Sequence, residues 1–179
     1  MLTHIFSSAV CAHCRLCCNF RPASAWETPF LEDSLCNKLS AQGIPLRTGA
    51  DGFRSFALTF HTTSPEETAN CPMLDPTGGC TLPRAERPFE CRVWPLRLMY
   101  TADGELSIGY YSACPALSDT TTRERLTAYA AGELLPVLQD YAHRFPQSIR
   151  PYNPAYTTIL TLHSRLSSAD CLPSGEKPL

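Results

Sequence analysis

The run Cys11-Ala12-His13-Cys14-Arg15-Leu16-Cys17-Cys18 decides how the rest of this chain is read. Its spacing is C-x2-C-x2-C-C. Two intervening residues let one tight turn aim two thiolates at a single ion, which is why the spacing recurs in zinc and iron–sulfur sites. Three cysteines in such a series match the first three ligands of a bacterial 4Fe–4S loop. Cys17 and Cys18 are neighbours, with Cα atoms about 3.8 Å apart. A relaxed disulfide needs roughly 4.4–6.8 Å, so a bridge within the pair would be strained. Adjacent side chains also diverge, so the pair suits two different sites or one polynuclear site.

Further along come Cys71-Pro72-Met73-Leu74-Asp75, Gly78-Gly79-Cys80, Arg87-Pro88-Phe89-Glu90-Cys91-Arg92-Val93-Trp94-Pro95 and Cys114-Pro115. With the first run they give eight candidate metal ligands: Cys11, Cys14, Cys17, Cys18, Cys71, Cys80, Cys91 and Cys114. Eight thiolates make two four-ligand sites, or one 4Fe–4S cluster with thiolates left over. The expected partition puts Cys11, Cys14 and Cys17 on one centre, with Cys91 or Cys114 as the fourth ligand. Cys18, Cys71 and Cys80 then make a second site or complete a larger one. A four-thiolate zinc site or an oxidised 4Fe–4S site carries a formal charge near −2, costly to bury alone. Arg15, Arg21, Arg87 and Arg92 lie within four residues of ligands and are candidates to offset it. Turn glycines release backbone N–H groups toward sulfur.

Composition sets the compartment and excludes some partners. The chain has 179 residues, ten cysteines, 16 prolines, nine glycines and a net charge of −2. A chain this long buries roughly 70% of its unfolded surface, so it needs no staples merely to fold. No basic field draws it to nucleic acid or an anionic membrane. Its first residues lack a basic segment followed by an apolar one, and no stretch reaches the roughly 20 apolar residues of a membrane span. The expectation is a cytoplasmic protein, where thiols stay reduced and clustered cysteines are ligands more often than bridges. A structural zinc site is worth roughly 10–16 kcal/mol, against roughly 2–4 kcal/mol for a disulfide. The Pro- and Gly-rich stretch 61–90 has little apolar content with which to hold itself, so a metal suits it better.

The expected fold class is α+β: an irregular cysteine-ligated core with a β-hairpin and short helices, then C-terminal helices. Residues 1–117 read as the cysteine-cluster domain, 118–168 as a helical section packed on it, and 169–179 as a disordered tail. Pro29 to Ala41 reads as a helix, with Leu31, Leu35 and Leu39 four apart and Gly43 as its cap. Phe53 to Phe60 alternates as a strand. Val93–Tyr100 and Leu106–Tyr111 flank Asp103-Gly104, a hairpin signal. Thr120 to Leu135 has Leu126, Tyr129, Ala130 and Leu134 on one helical face, and Pro136 restarts a second turn set running to Phe145. Pro154 to Leu166 reads as a last helix with Pro154 in its first turn.

Taken jointly, Cys11 to Cys18, Cys71-Pro72, Gly79-Cys80 and Arg87-Pro88-x-x-Cys91-Arg92-x-x-Pro95 resemble the YkgJ-type cysteine-cluster family. That family is described as a zinc- or iron-chelating domain related to the flagellin lysine-N-methylases. The resemblance covers about residues 11–115 and implies a chelating domain in a bacterial cytoplasmic protein. In the methylase relatives the cysteines go with an iron–sulfur centre, so the resemblance favours 4Fe–4S over zinc. This chain is much shorter than those methylases and shows no Gly-rich loop for S-adenosylmethionine. The leading expectation is therefore a protein binding an iron–sulfur cluster or zinc, with a structural, redox or metal-handling role. The alternatives are a protein-modifying enzyme related to the methylases, and a zinc-stabilised module that displays a surface to a protein partner.

Other polar residues read as ordinary. His13, between Cys11 and Cys14, reads as exposed or as a donor to sulfur, with replacement of a thiolate as the alternative; His61 lies in a polar loop with no visible partner, and His4, His143 and His163 read as surface or helix residues. Cys36 reads as a small core residue and Cys171 as a tail thiol. Trp26, Phe30, Phe89 and Trp94 are candidates to cover the cluster or core. Asp75 and Glu90 read as loop carboxylates beside ligands.

Overall fold

The structure is a computed structural model that describes Leu2, His4–Ile5 and residues 14–162. Cys11, His13, His163, Cys171 and the expected tail lie outside the described residues. The fold is α+β, with four helices among several 3-10 turns and nine short strands in the described residues. The strands are β1 (Asn19–Phe20), β2 (Leu46–Thr48), β3 (Arg54–Phe56), β4 (Ala69–Asn70), β5 (Leu74–Asp75), β6 (Gly79–Cys80), β7 (Leu96–Tyr100), β8 (Leu106–Tyr111) and β9 (Tyr156–Thr161). The helices are α1 (Asp33–Ala41), α2 (Phe89–Val93), α3 (Thr120–Ala131) and α4 (Leu135–Arg144).

The main sheet is antiparallel, in the order β7-β8-β9. Its first hairpin turns at Asp103-Gly104, where Gly104 takes a φ of 82° that a side chain would strain against. In the β7–β8 register Leu96 faces Tyr110, Leu98 faces Ile108 and Tyr100 faces Leu106. Leu96, Leu98, Leu106 and Ile108 join Leu117, Leu126, Ala130, Leu134, Leu138, Tyr141 and Ala142 in one core, so α3 and α4 pack on this face. Asp119 caps α3 by accepting the Thr122 N–H at 2.7 Å. Gly132 ends that helix, and Pro136 sits in the first turn of α4, as its missing N–H allows.

The expected last helix is a strand. Tyr156-Thr157-Thr158-Ile159-Leu160-Thr161 is rich in β-branched residues, which suit a pleated ladder better than a helix. Asn153 and Pro154 form the turn before it, with Asn153 Oδ1 accepting the Ala155 N–H at 2.8 Å. β9 then pairs with β8, through an irregularity at Ile108/Gly109. A side chain at Gly109 would stand 3.2 Å from Met99 and from the Thr157 carbonyl, so only glycine lets the strands close here.

A second, smaller core gathers Leu31, Cys36, Leu39, Phe56, Met73 and Leu82 under α1. α1 starts at Asp33 rather than Pro29, and Leu31 is buried in the extended chain before it. Gly43 takes a φ of 72° just past the helix, and its N–H reaches the Ser40 carbonyl at 3.0 Å. The strand expected over 53–60 is confined to β3, which pairs with β2. Beyond Phe56 the chain finds no partner strand. Cys36 is buried, 6% exposed, and its thiol donates to the Leu31 carbonyl at 3.4 Å, as a core residue does.

Candidate metal centre

Four segments carry the cysteines to one side of these cores. Leu16–Cys18 is a single 3-10 turn, entered through Arg15 in the left-handed region with φ 53°. Such a backbone costs a non-glycine residue roughly 1–2 kcal/mol. β1 follows at once and pairs with β4, so that Asn19 faces Asn70 and their side-chain amides bond at 2.8 Å. The same ladder brings the Cys71 N–H to the Cys18 carbonyl at 2.8 Å. From Cys71 the chain enters the β5–β6 hairpin, where Leu74 faces Cys80. Asp75 shapes its turn by accepting the Thr77 and Gly78 N–H groups at 2.7 and 2.6 Å. Gly79, at φ 85°, swings the chain back to present Cys80. Cys91 lies in α2, its N–H on the Pro88 carbonyl at 3.0 Å.

Cys18, Cys71, Cys80 and Cys91 come within electrostatic reach of one another. Burial pushes the Cys71 thiol up to about 12, although the Met73 N–H favours its thiolate, and Cys18 and Cys80 push it further. Burial also drives the Cys91 thiol far above its ordinary value, followed by the charges of Cys18, Cys71, Glu90 and Cys80. The residue as a whole keeps an exposed surface. Cys18 moves the other way: the hydrogen bond from the Cys17 thiol outweighs burial, and Arg87 adds a smaller attraction. Neighbouring thiolates oppose each other's ionisation. A bound metal reverses that sign and displaces their protons.

A different set forms around Cys17. Cys14, Cys17 and Cys114 line one cavity of about 20 Å³ with Arg15, Leu16, Trp94 and Ala116. That is close to the room one water or one ion needs. Cys114 is buried, 8% exposed, and enters from the turn after β8, its N–H on the Tyr111 carbonyl at 3.2 Å. A neighbouring cleft of about 80 Å³ shares Leu16, Cys17 and Trp94 with this cavity and adds Glu27, Arg97 and Tyr111. Burial raises the Glu27 carboxyl above its ordinary range, against the pull of Arg97, Tyr156 and Arg150.

The described cysteines thus fall into a set around Cys18, Cys71, Cys80 and Cys91, linked by their effects on ionisation, and a set of Cys14, Cys17 and Cys114 that lines one cavity. No disulfide joins any two of the described cysteines. Among the described residues, no three His, Cys, Asp or Glu donors already stand in metal-holding geometry. Sulfur donors of this kind suit a thiophilic metal by their chemistry.

The flanking residues divide. Arg87 acts on Cys18. Arg92 stacks over Phe89 at 5.7 Å, and Arg21 pairs with Glu66 at 3.0 Å in solvent, away from any thiol role. Phe30 and Phe89 are buried in the main core, and Trp94 covers the Cys14–Cys17–Cys114 cavity. His4 stacks edge-on against Tyr129 at 4.5 Å.

Glu90 is not the ordinary loop carboxylate its sequence position implied. It is 7% exposed and accepts from Arg97 at 2.8 Å, from Arg150 at 3.1 Å and from the Phe30 N–H. Arg150 also donates to the Thr28 carbonyl at 2.7 Å, and Arg97 to the Glu27 carbonyl at 3.0 Å. This buried triad ties the residue before Cys91 to β7 and to the chain entering α1. Its one sequence signal was Arg97, a lone charge among Leu96, Leu98 and Met99.

Comparison with models of known protein families, with curated proteins and with solved structures finds no match to this chain.

Proposed function

We propose that this chain is a metal-binding protein that holds an iron–sulfur cluster or zinc through its clustered cysteines, in a structural, redox or metal-handling role. The observation that carries the reading is that the turn at Cys18, the hairpin carrying Cys71 and Cys80 and the helix carrying Cys91 bring four thiols within electrostatic reach, with the Cys71 N–H on the Cys18 carbonyl at 2.8 Å. Oxygen-seeking cations such as calcium or magnesium do not suit an all-sulfur donor set. The C-x2-C-x2-C run and the resemblance to the cysteine-cluster family support a 4Fe–4S occupant. The single-ion size of the Cys14–Cys17–Cys114 cavity supports zinc. A reducing compartment, the cytoplasm, accords with thiols that stay unbridged.

Anaerobic purification with elemental analysis and an ultraviolet–visible spectrum tests this. Iron with matching sulfide and a brown colour identifies the cluster; stoichiometric zinc in colourless protein identifies the ion. Protein that stays folded and carries neither metal overturns the reading.

A second reading, a protein-modifying enzyme related to the methylases, is favoured by the cleft beside Cys17, where Glu27, Arg97 and Tyr111 meet the cysteine group. Its roughly 80 Å³ falls short of the 300–1,000 Å³ usual for a cofactor such as S-adenosylmethionine. Titration calorimetry of metal-loaded protein with S-adenosylmethionine decides it, and absence of binding removes it.

A further inference from the structure

A cleft of about 360 Å³ lies between α1 and the chain from 85 to 92. That volume falls within the roughly 300–1,000 Å³ of small-molecule sites. No candidate thiol lines it. One wall carries Ser34, Leu35 and Lys38, which share a face of α1 by their spacing. The other carries Arg87, just before α2, and Arg92, within it.

Charge in this cleft is unbalanced. Glu86 is matched by Lys38 at 2.5 Å, and Glu32 lies 3.9 Å from Arg144. Both carboxylates of the cleft are thus engaged by cations. Among the described residues, no carboxylate pairs with Arg87 or Arg92. Both arginines are half-buried, where a charge without a counter-charge is costly. Arg87 is held at its Nε by the Leu82 carbonyl at 3.1 Å, which leaves its terminal N–H groups for another acceptor. Arg92 is braced over the Phe89 ring at 5.7 Å. Its Nε is buried and meets no acceptor among the described residues, and folded proteins fill such positions with water or a ligand.

Two unmatched guanidinium groups call for a dianion. Each planar fork offers parallel N–H donors to a pair of oxygens, an arrangement that phosphate satisfies. Leu35, Ala85 and Pro88 give apolar surface to the remainder of a small molecule. We infer that this cleft binds a small molecule bearing a phosphate monoester, held by Arg87 and Arg92 with the Ser34 hydroxyl at the rim.

Titration calorimetry of the anaerobically purified full chain tests this, with inorganic phosphate, pyrophosphate and succinate in chloride buffer of constant ionic strength. Wild type is expected to bind phosphate and pyrophosphate more tightly than succinate. Because Arg87 also acts on Cys18, the deciding variants are Arg92→Gln and Ser34→Glu. Arg92→Gln is expected to weaken phosphate binding by about tenfold, the loss of one charged donor group. Ser34→Glu, at an exposed position on α1, is expected to weaken it at least as much by repulsion, and it carries the test if Arg92→Gln fails to fold. Arg84→Gln removes an exposed arginine outside the cleft and is expected to bind as wild type does. Absence of binding by all three anions overturns the inference. So does wild-type affinity in both Arg92→Gln and Ser34→Glu. An equal loss in Arg84→Gln marks diffuse surface charge and overturns it too. Tighter binding of succinate than of either phosphate overturns the assignment to a phosphate monoester.

Discussion

The N–H of Cys71 bonds to the carbonyl of Cys18 at 2.8 Å, so two cysteines 53 positions apart are held side by side at the end of the β1–β4 ladder. The β1–β4 ladder supplies this placement through backbone bonds alone. Replacing Cys71 with serine is expected to leave the secondary structure in place while lowering bound metal, read by circular dichroism beside elemental analysis. Loss of the fold with full metal retention in the surviving fraction would contradict it.

Cys36 gives the matching control. It is buried against Leu31 and Leu39 in the small core, with no other cysteine acting on it. Serine there is expected to keep near-normal metal while destabilising the fold by about 1–3 kcal/mol, the cost of a polar group in an apolar site. Serine at Cys14 is expected to lose metal with little change in denaturation midpoint. A reversed pattern would mean that the ligand set is drawn wrongly.

The Glu90–Arg97–Arg150 cluster makes a pH prediction. Burial works to raise the Glu90 carboxyl, and the charges of Arg150 and Arg97, with the Phe30 N–H, overcome it and hold the group below its ordinary range. A depressed carboxylate stabilises the fold above its unfolded value, and that contribution is lost as pH falls through the lowered folded value. Stability is therefore expected to fall off on the acid side. Glu90→Gln leaves two buried guanidinium groups uncompensated, a loss of about 3–5 kcal/mol near neutrality. It is also expected to flatten the acid limb of the stability profile. A Glu90→Gln protein as stable as wild type in urea would refute the role.

Gly79 offers a backbone test. At φ 85° an alanine pays roughly 1–2 kcal/mol, and the strain falls one residue before Cys80. A side chain at this position meets nothing within 4 Å, so the effect is purely conformational. Gly79→Ala is expected to weaken metal retention against a chelator, where alanine at Gly78 with its ordinary φ does so less. Equal behaviour of the two variants would discount the turn.

Metal removal should loosen the loops more than the sheet. The chain from 61 to 88 has only two-residue strands and a short 3-10 turn, whereas β7–β9 are backed by α3 and α4. Limited proteolysis after chelation is expected to cut first within this stretch. First cleavage within α3 or α4 would show that the loops hold themselves without metal.

Several of these features were legible in the sequence. Asp103-Gly104 announced the β7–β8 hairpin, because a two-period apolar pattern on either side of a glycine turn has few other solutions. Pro136 marked the start of α4 by local chemistry, whereas the end of α3 at Ala131, inside the helix expected to run to Leu135, was not foreseen. The cysteine spacings put the candidate site within reach, and Cys36 stood apart from them on an amphipathic helix. What failed depends on partners distant in sequence. Tyr156 to Thr161 carries apolar residues that read equally as helix, and only the open edge of β8 makes them a strand. Leu31 belongs to the core without belonging to α1, since burial does not report backbone conformation. Glu90 and Arg150 are 60 residues apart, and no local pattern links them. Nor could spacing say whether Cys91 or Cys114 joins Cys14, which turns on how the chain folds between them.

The order of synthesis gives the last strand a further consequence. β7 and β8 leave the ribosome about fifty residues ahead of Tyr156, and until β9 follows, the outer edge of β8 presents unpaired N–H and C=O groups. Every cysteine of both sets has been translated by then, so the candidate thiols are all in place before the sheet is closed. A nascent chain stalled before residue 156 would carry the complete sulfur complement on an open-edged hairpin, a species prone to pair with a second copy of itself.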